Sequence, residues 1–225
     1  MRRADFQRAG RSGRDLEVEI PVSSGADGMG KSRFEAFSDG VLAIIITIMV
    51  LELKVPHGET LDALRPVIPV FLSYMLSFVN IGIYWNNHHH MLHTVRTVTG
   101  GMLWANLHLL FWLSLLPFTT AWLGENHLAA APMSLYGLVL LMSGAAYKIL
   151  QEVIIASQGT DSLLKKATGS DIKGMVPFAL YLTGVVISWW LPSVALALYI
   201  LVALLWLVPD TRIERAIREA EHEAA

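Results

Sequence analysis

The stretch Arg33-Phe34-Glu35-Ala36-Phe37-Ser38-Asp39-Gly40-Val41-Leu42-Ala43-Ile44-Ile45-Ile46-Thr47-Ile48-Met49-Val50-Leu51-Glu52-Leu53-Lys54-Val55-Pro56 decides the fold. Phe34 to Val55 supplies the roughly 20 mostly apolar residues that a membrane-spanning helix needs. On a helical wheel with Ile44 at zero, Ile48 falls at about +40° and Leu51 at about −20°. Phe37 and Val55 both fall near +20°, Thr47 lies on the flank at about −60°, and Asp39 is far off at about −140°. One apolar stripe therefore runs the length of the helix while the acid faces elsewhere. Periodicity alone leaves open whether that stripe meets lipid, a neighbouring helix or a pore. Glu35, Glu52 and Lys54 sit at the ends, where side chains reach the interface. Asp39 is deeper, and a charge there needs a polar partner inside the protein; the candidates are Arg33, Trp85, Asn87, His88, His89 and Asn106. Gly40 and Ala43 favour close helix approach.

Five further apolar stretches follow, at about 66–87, 101–123, 131–154, 174–191 and 193–208. The last two are separated by a tight hairpin around Pro192. The chain has 225 residues, 54% hydrophobic and only 16% charged. Six such stretches exceed what one small soluble core buries, so the expected fold class is all-α: a polytopic membrane protein with six transmembrane helices. Lys and Arg crowd one side, in the segment up to Arg33, the loop with Arg96, the loop with Lys165, Lys166 and Lys173, and the end with Arg212, Arg215 and Arg218. The other side holds Lys54 and Arg65. By the positive-inside rule both termini are cytoplasmic and the number of spans is even. The expected organisation is a disordered cytoplasmic tail over 1–32, a transmembrane domain over 33–208, and a cytoplasmic helical tail over 209–225.

A net charge of −2 gives no basic bias toward nucleic acid, and the absence of cysteine excludes disulfides and thiolate chemistry. Phosphate-binding glycine loops, nucleophile elbows and zincin helices are missing, so no enzyme is expected. No Thr-Val-Gly-Tyr-Gly filter is present either. His88, His89, His90 and His93 cluster at the end of the second span, and His108 lies in the third. His89 and His93 have the i, i+4 spacing that zinc sites use, which keeps a divalent-metal transporter and a haem protein open as readings. Hydrogen bonding between helices is the plainer role for these histidines.

Arg33-x-x-x-Phe37-Ser38-Asp39 followed by an Ile-rich helix resembles the signature of the transmembrane protein 175 family of potassium channels, in its prokaryotic single-repeat form. Trp85-x-Asn87-His88-His89 and Asn106-x5-Trp112-x-Ser114-x-x-Pro117-Phe118-x-Thr120 are similar to that family's second and third helices. The resemblance covers Lys31 to Glu125; the third histidine of His88-His89-His90 departs from it. It implies a multi-pass protein of the cell membrane, a homotetramer around a fourfold axis, with potassium as permeant ion and no cofactor. The pore would be lined by the first helix, with Ile44, Ile48 and Leu51 as apolar constriction and Thr47 as a flanking hydroxyl. Arg33, Phe37, Ser38 and Asp39 would hold that helix against Trp85, His88, His89 and Asn106. Four copies of Glu52 would draw cations to the outer mouth, opposed by Lys54.

Overall fold

In a computed structural model of the chain, which describes residues 24–159, 164–165 and 172–207, all regular structure is helical. The first span is α1, Ser24–Leu51. A 3-10 helix, Leu61–Val67, leads into α2, Ile68–His93. The third span is broken into α3, Gly100–Ser114, and α4, Leu116–Glu125. Then come α5, Ala130–Gln158, α6, Ile172–Ile187, and α7, Pro192–Leu207. Among the described residues four segments are long and apolar enough to cross a bilayer, and the shorter α6 and α7 form an apolar hairpin that completes six spans.

Local chemistry explains where these elements start and stop. α1 ends four residues before the expected Val55. Pro56 disfavours the helical region for the residue before it. The chain instead closes with two short-range bonds, Glu52 N to Met49 O at 3.3 Å and Leu53 N to Val50 O at 3.2 Å. Val55 is therefore no part of the stripe. At its other end α1 continues back to Ser24, into the stretch expected to be tail. α2 runs six residues past Asn87, carrying all four clustered histidines on helix. Thr99 caps α3 by accepting from Met102 N. The break at Leu115 follows from Pro117, which has no N–H to give the preceding turn and whose ring crowds it. Gly159, at φ +69°, takes the left-handed conformation in which α5 stops. Residues 1–23 and 208–225, with the C-terminal charged helix expected there, lie outside the described residues.

The alternation of spans is visible in the bonds between their ends. Lys54 donates to Glu125, joining the ends of the first and third spans. At the opposite end Lys31 Nζ donates to His93 O at 3.3 Å, and Gln158 Nε2 donates to Thr94 O at 2.7 Å. The start of the first span and the ends of the second and fourth thus share one side, the one that the positive-inside rule makes cytoplasmic. Trp189 and Trp190 are exposed at the α6–α7 hairpin on the other side, where amphipathic rings suit the membrane interface.

The core is sealed by polar side chains as well as apolar ones. Ser77 of α2 meets Thr120 of α4 at 2.6 Å and Tyr136 of α5 at 3.0 Å. Tyr199 of α7 lies over Gly137 of α5 and Gly184 of α6, where a Cβ on either glycine would strike its ring. Its hydroxyl donates to Met133 O at 3.4 Å. Such bonds matter here because lipid offers buried polar groups no other partner.

Candidate functional site

α1 has two faces. Phe34, Ser38, Leu42, Ile45 and Met49 are buried, at spacings of four, four, three and four that keep them on one side. That side packs against α2, α3 and α4. The opposite arc, roughly half the circumference, is uncovered. It carries Ile44 at 57% exposure, Ile48 at 43% and Leu51 at 78%, with Phe37 on the same line. Thr47 lies beside them, exposed, its hydroxyl donating to Ile44 O at 2.9 Å. Gly40 and Ala43 were expected to seat a neighbouring helix. They fall on the uncovered arc, with nothing in the chain within 4 Å of where a Cβ on Gly40 would stand. From Ile44 to Leu51 the stripe rises about 10 Å.

The buried face is pinned by a chain of hydrogen bonds near the cytoplasmic end. His88 Nε2 and Asn106 Oδ1 are 2.8 Å apart. Asn106 Nδ2 donates to Ser38 Oγ at 2.9 Å, and Ser38 Oγ donates to Phe34 O at 2.9 Å. Since Asn106 spends its amide on Ser38 and offers its carbonyl to His88, the histidine is the donor and carries its proton on Nε2. His88, Asn106 and Ser38 are all buried, so α1, α2 and α3 are tied together at one point with every member satisfied.

Asp39 is held separately. Trp85 Nε1 donates to its Oδ1 at 3.0 Å. His89 stacks on the Trp85 ring, with centroids 6.0 Å apart and planes 26° from parallel, and His93 meets His89 edge-on at 4.6 Å. His89 therefore supports the clamp through Trp85 and does not touch the motif directly. The Arg33 side chain, among the described residues, makes no hydrogen bond or ion pair. The cation at this end that does reach across is Lys31, which bonds His93 O and lies 3.9 Å from Glu35.

Other polar groups within the spans are met inside their own helices. Lys148 and Glu152 pair at 2.9 Å on α5, and Trp112 Nε1 donates to His108 within α3. Among the described residues no group of three His, Asp or Glu side chains converges as metal ligands. The Lys54–Glu125 pair escaped sequence reading, because 71 residues separate its partners and no pattern links them.

Fold and site together define a multi-pass helical membrane protein whose first helix is gripped on one face and bare on the other. Residues 33–117, which contain the whole clamp, match the family model described as endosomal/lysosomal potassium channel TMEM175. A potassium channel of Chryseobacterium sp. (strain P1-3) is 54% identical over 191 residues, 85% of this chain and 100% of that one. A potassium channel of Streptomyces collinus is 38% identical over 129 residues, 52% of this chain and 61% of the other. The crystal structure of a lysosomal potassium-selective channel TMEM175 homolog from Chamaesiphon minutus superposes with a TM-score of 0.67 at 26% identity, covering 80% of this chain and 97% of that one. The chain belongs to the TMEM175 family.

Proposed function

We propose that this chain is a potassium-permeable channel of the cell membrane. It assembles as a homotetramer around a fourfold axis and conducts passively through a central pore lined by α1. The observation that carries this reading is the contrast between the two faces of α1. A network of buried polar side chains holds one face, while Ile44, Ile48 and Leu51 stand uncovered along the other. The names of the Chryseobacterium and Streptomyces relatives and of the Chamaesiphon structure support potassium as the ion. Among the described residues the stripe stays exposed in a single copy, so a pore lined by it takes several copies with their α1 helices facing the axis. Ala36, Gly40 and Ala43 on the same arc leave room for the neighbouring helix.

Ile44, Ile48 and Leu51 then form successive apolar rings about one helical turn apart. A narrow apolar ring sheds water and blocks ions with no moving plug. A small rotation of α1 widens it. Potassium gives up its water more readily than sodium, so a tight ring favours potassium modestly without a binding site. Thr47 offers its exposed oxygen to water beside the constriction. No step calls for a cofactor or for catalysis.

The test is flux through purified protein in liposomes. Potassium conductance above empty liposomes is expected, and Ile44→Asn hydrates the ring, raising leak and lowering the potassium-to-sodium ratio. Absence of potassium flux in the parent protein refutes the channel. An unchanged permeability ratio in Ile44→Asn removes Ile44 from the constriction.

A further inference from the structure

We infer that the outer mouth is a net-negative vestibule in which Glu125 neutralises Lys54, so that Glu52 at the rim of α1 concentrates cations and makes conduction rectify at low ionic strength. The inference rests on the channel reading. The outer segments, residues 52–67, 125–129 and 188–191, carry Glu52, Glu59, Asp62 and Glu125 against Lys54 and Arg65. Counting one charge each, four negatives and two positives leave −2 per subunit.

Which charges are free is decided by geometry. Arg65 pairs with Asp62 at 2.9 Å. Lys54 pairs with Glu125, and its ammonium is held above the usual lysine value, first by that hydrogen bond, next by the Glu125 charge, with Glu52 adding to it. Both outer cations are thus occupied. Among the described residues Glu52 and Glu59 form no ion pair. Glu52 is exposed and follows directly on Leu51, the outermost residue of the stripe. In sequence alone Lys54 cancels Glu52, two residues away. In the folded subunit α4 brings a second carboxylate to that lysine and restores the negative sign at the rim.

A ring of like charges at one mouth raises the local concentration of counter-ions there. At the cytoplasmic end Lys31, Arg33 and Arg96 offset Glu35 and Asp39, so the negative excess lies at the outer mouth. Cation entry from outside is favoured over entry from inside. The effect reaches about 30 Å at 0.01 M salt and shrinks to about 3 Å at 1 M.

Unitary potassium currents in planar bilayers, recorded at symmetric KCl of about 10 mM and about 1 M, test this. The parent channel is expected to rectify at the low concentration and to become ohmic at the high one. Glu52→Gln and Glu125→Gln lower the larger limb about two-fold or more at low salt, Lys54→Gln raises it, and all four coincide at high salt. If the Lys54–Glu125 pair merely braced α1 against α4, Glu125→Gln and Lys54→Gln would change the current in the same direction at both salts, and that result overturns the inference. So does a conducting parent channel from which the three variants are indistinguishable at low salt, which leaves the channel reading standing. A parent protein with no cation current at either salt refutes the channel reading and the vestibule with it.

Discussion

Replacing Asn106 by leucine removes the centre of the knot that ties α1 to α2 and α3 while keeping the number and branching of side-chain heavy atoms. Asn106 makes two bonds, accepting from His88 Nε2 at 2.8 Å and donating to Ser38 Oγ at 2.9 Å. The two partners fare differently without it. Ser38 keeps its own donation to Phe34 O and loses only an accepted bond. His88 is left with a buried N–H and no acceptor, a loss of about 1–3 kcal/mol. The Ser38 bond adds about 0.6 kcal/mol, the average for side-chain hydrogen bonds between membrane helices. The expected destabilisation is therefore about 2 kcal/mol, roughly a 30-fold change in the folded-to-unfolded ratio. Denaturation in detergent micelles, followed by tryptophan fluorescence, measures it. A double-mutant cycle with Ser38→Ala sharpens the result. Ser38→Ala alone strands an Asn106 N–H, but in the Asn106→Leu background that N–H no longer exists. The pair is therefore expected to be less destabilising than the sum of the single changes, by about 1 kcal/mol. Stability within about 0.5 kcal/mol of the parent, or strict additivity in the cycle, refutes the network as the point that holds α1.

Two other substitutions probe neighbouring features. Trp85→Phe keeps the ring that His89 stacks on and deletes the N–H that Asp39 accepts from. It is expected to change potassium flux through the reconstituted protein with little loss of fold, and unaltered flux removes Trp85 from the control of α1. Gly137→Ala puts a Cβ into the Tyr199 ring, and overpacking of this kind costs about 1–3 kcal/mol. Gly40→Ala meets nothing within the chain and is expected to leave its thermal stability unchanged; the opposite ranking in a melting experiment refutes the packing assigned to α5, α6 and α7.

Much of this protein is legible in its sequence because the bilayer is a severe solvent. Long apolar runs, few charges and basic residues on alternate loops leave helices as the available structure, and these features alone define six spans and their orientation. The wheel already separates Asp39 from the Ile44–Ile48–Leu51 stripe, since that separation depends only on helical pitch. The helix break before Pro117 and the run of α5 on to Gln158 are not read from the sequence, where the spans are expected over 101–123 and 131–154.

What the tertiary structure decides is pairing between residues far apart in the chain. Among six candidate partners for Asp39, packing of α1 on α2 selects Trp85 and passes over Arg33. Asn106 reaches Ser38 and His88 at once because α3 lies against both other helices. The uncovered state of the stripe is likewise a packing result, since apolar periodicity looks the same whether a face meets lipid, protein or a pore. The sign of the charge beside Glu52 is the clearest case. Lys54 stands two residues away in sequence, but the ends of α1 and α4 converge on one side of the membrane, and there Glu125 claims it.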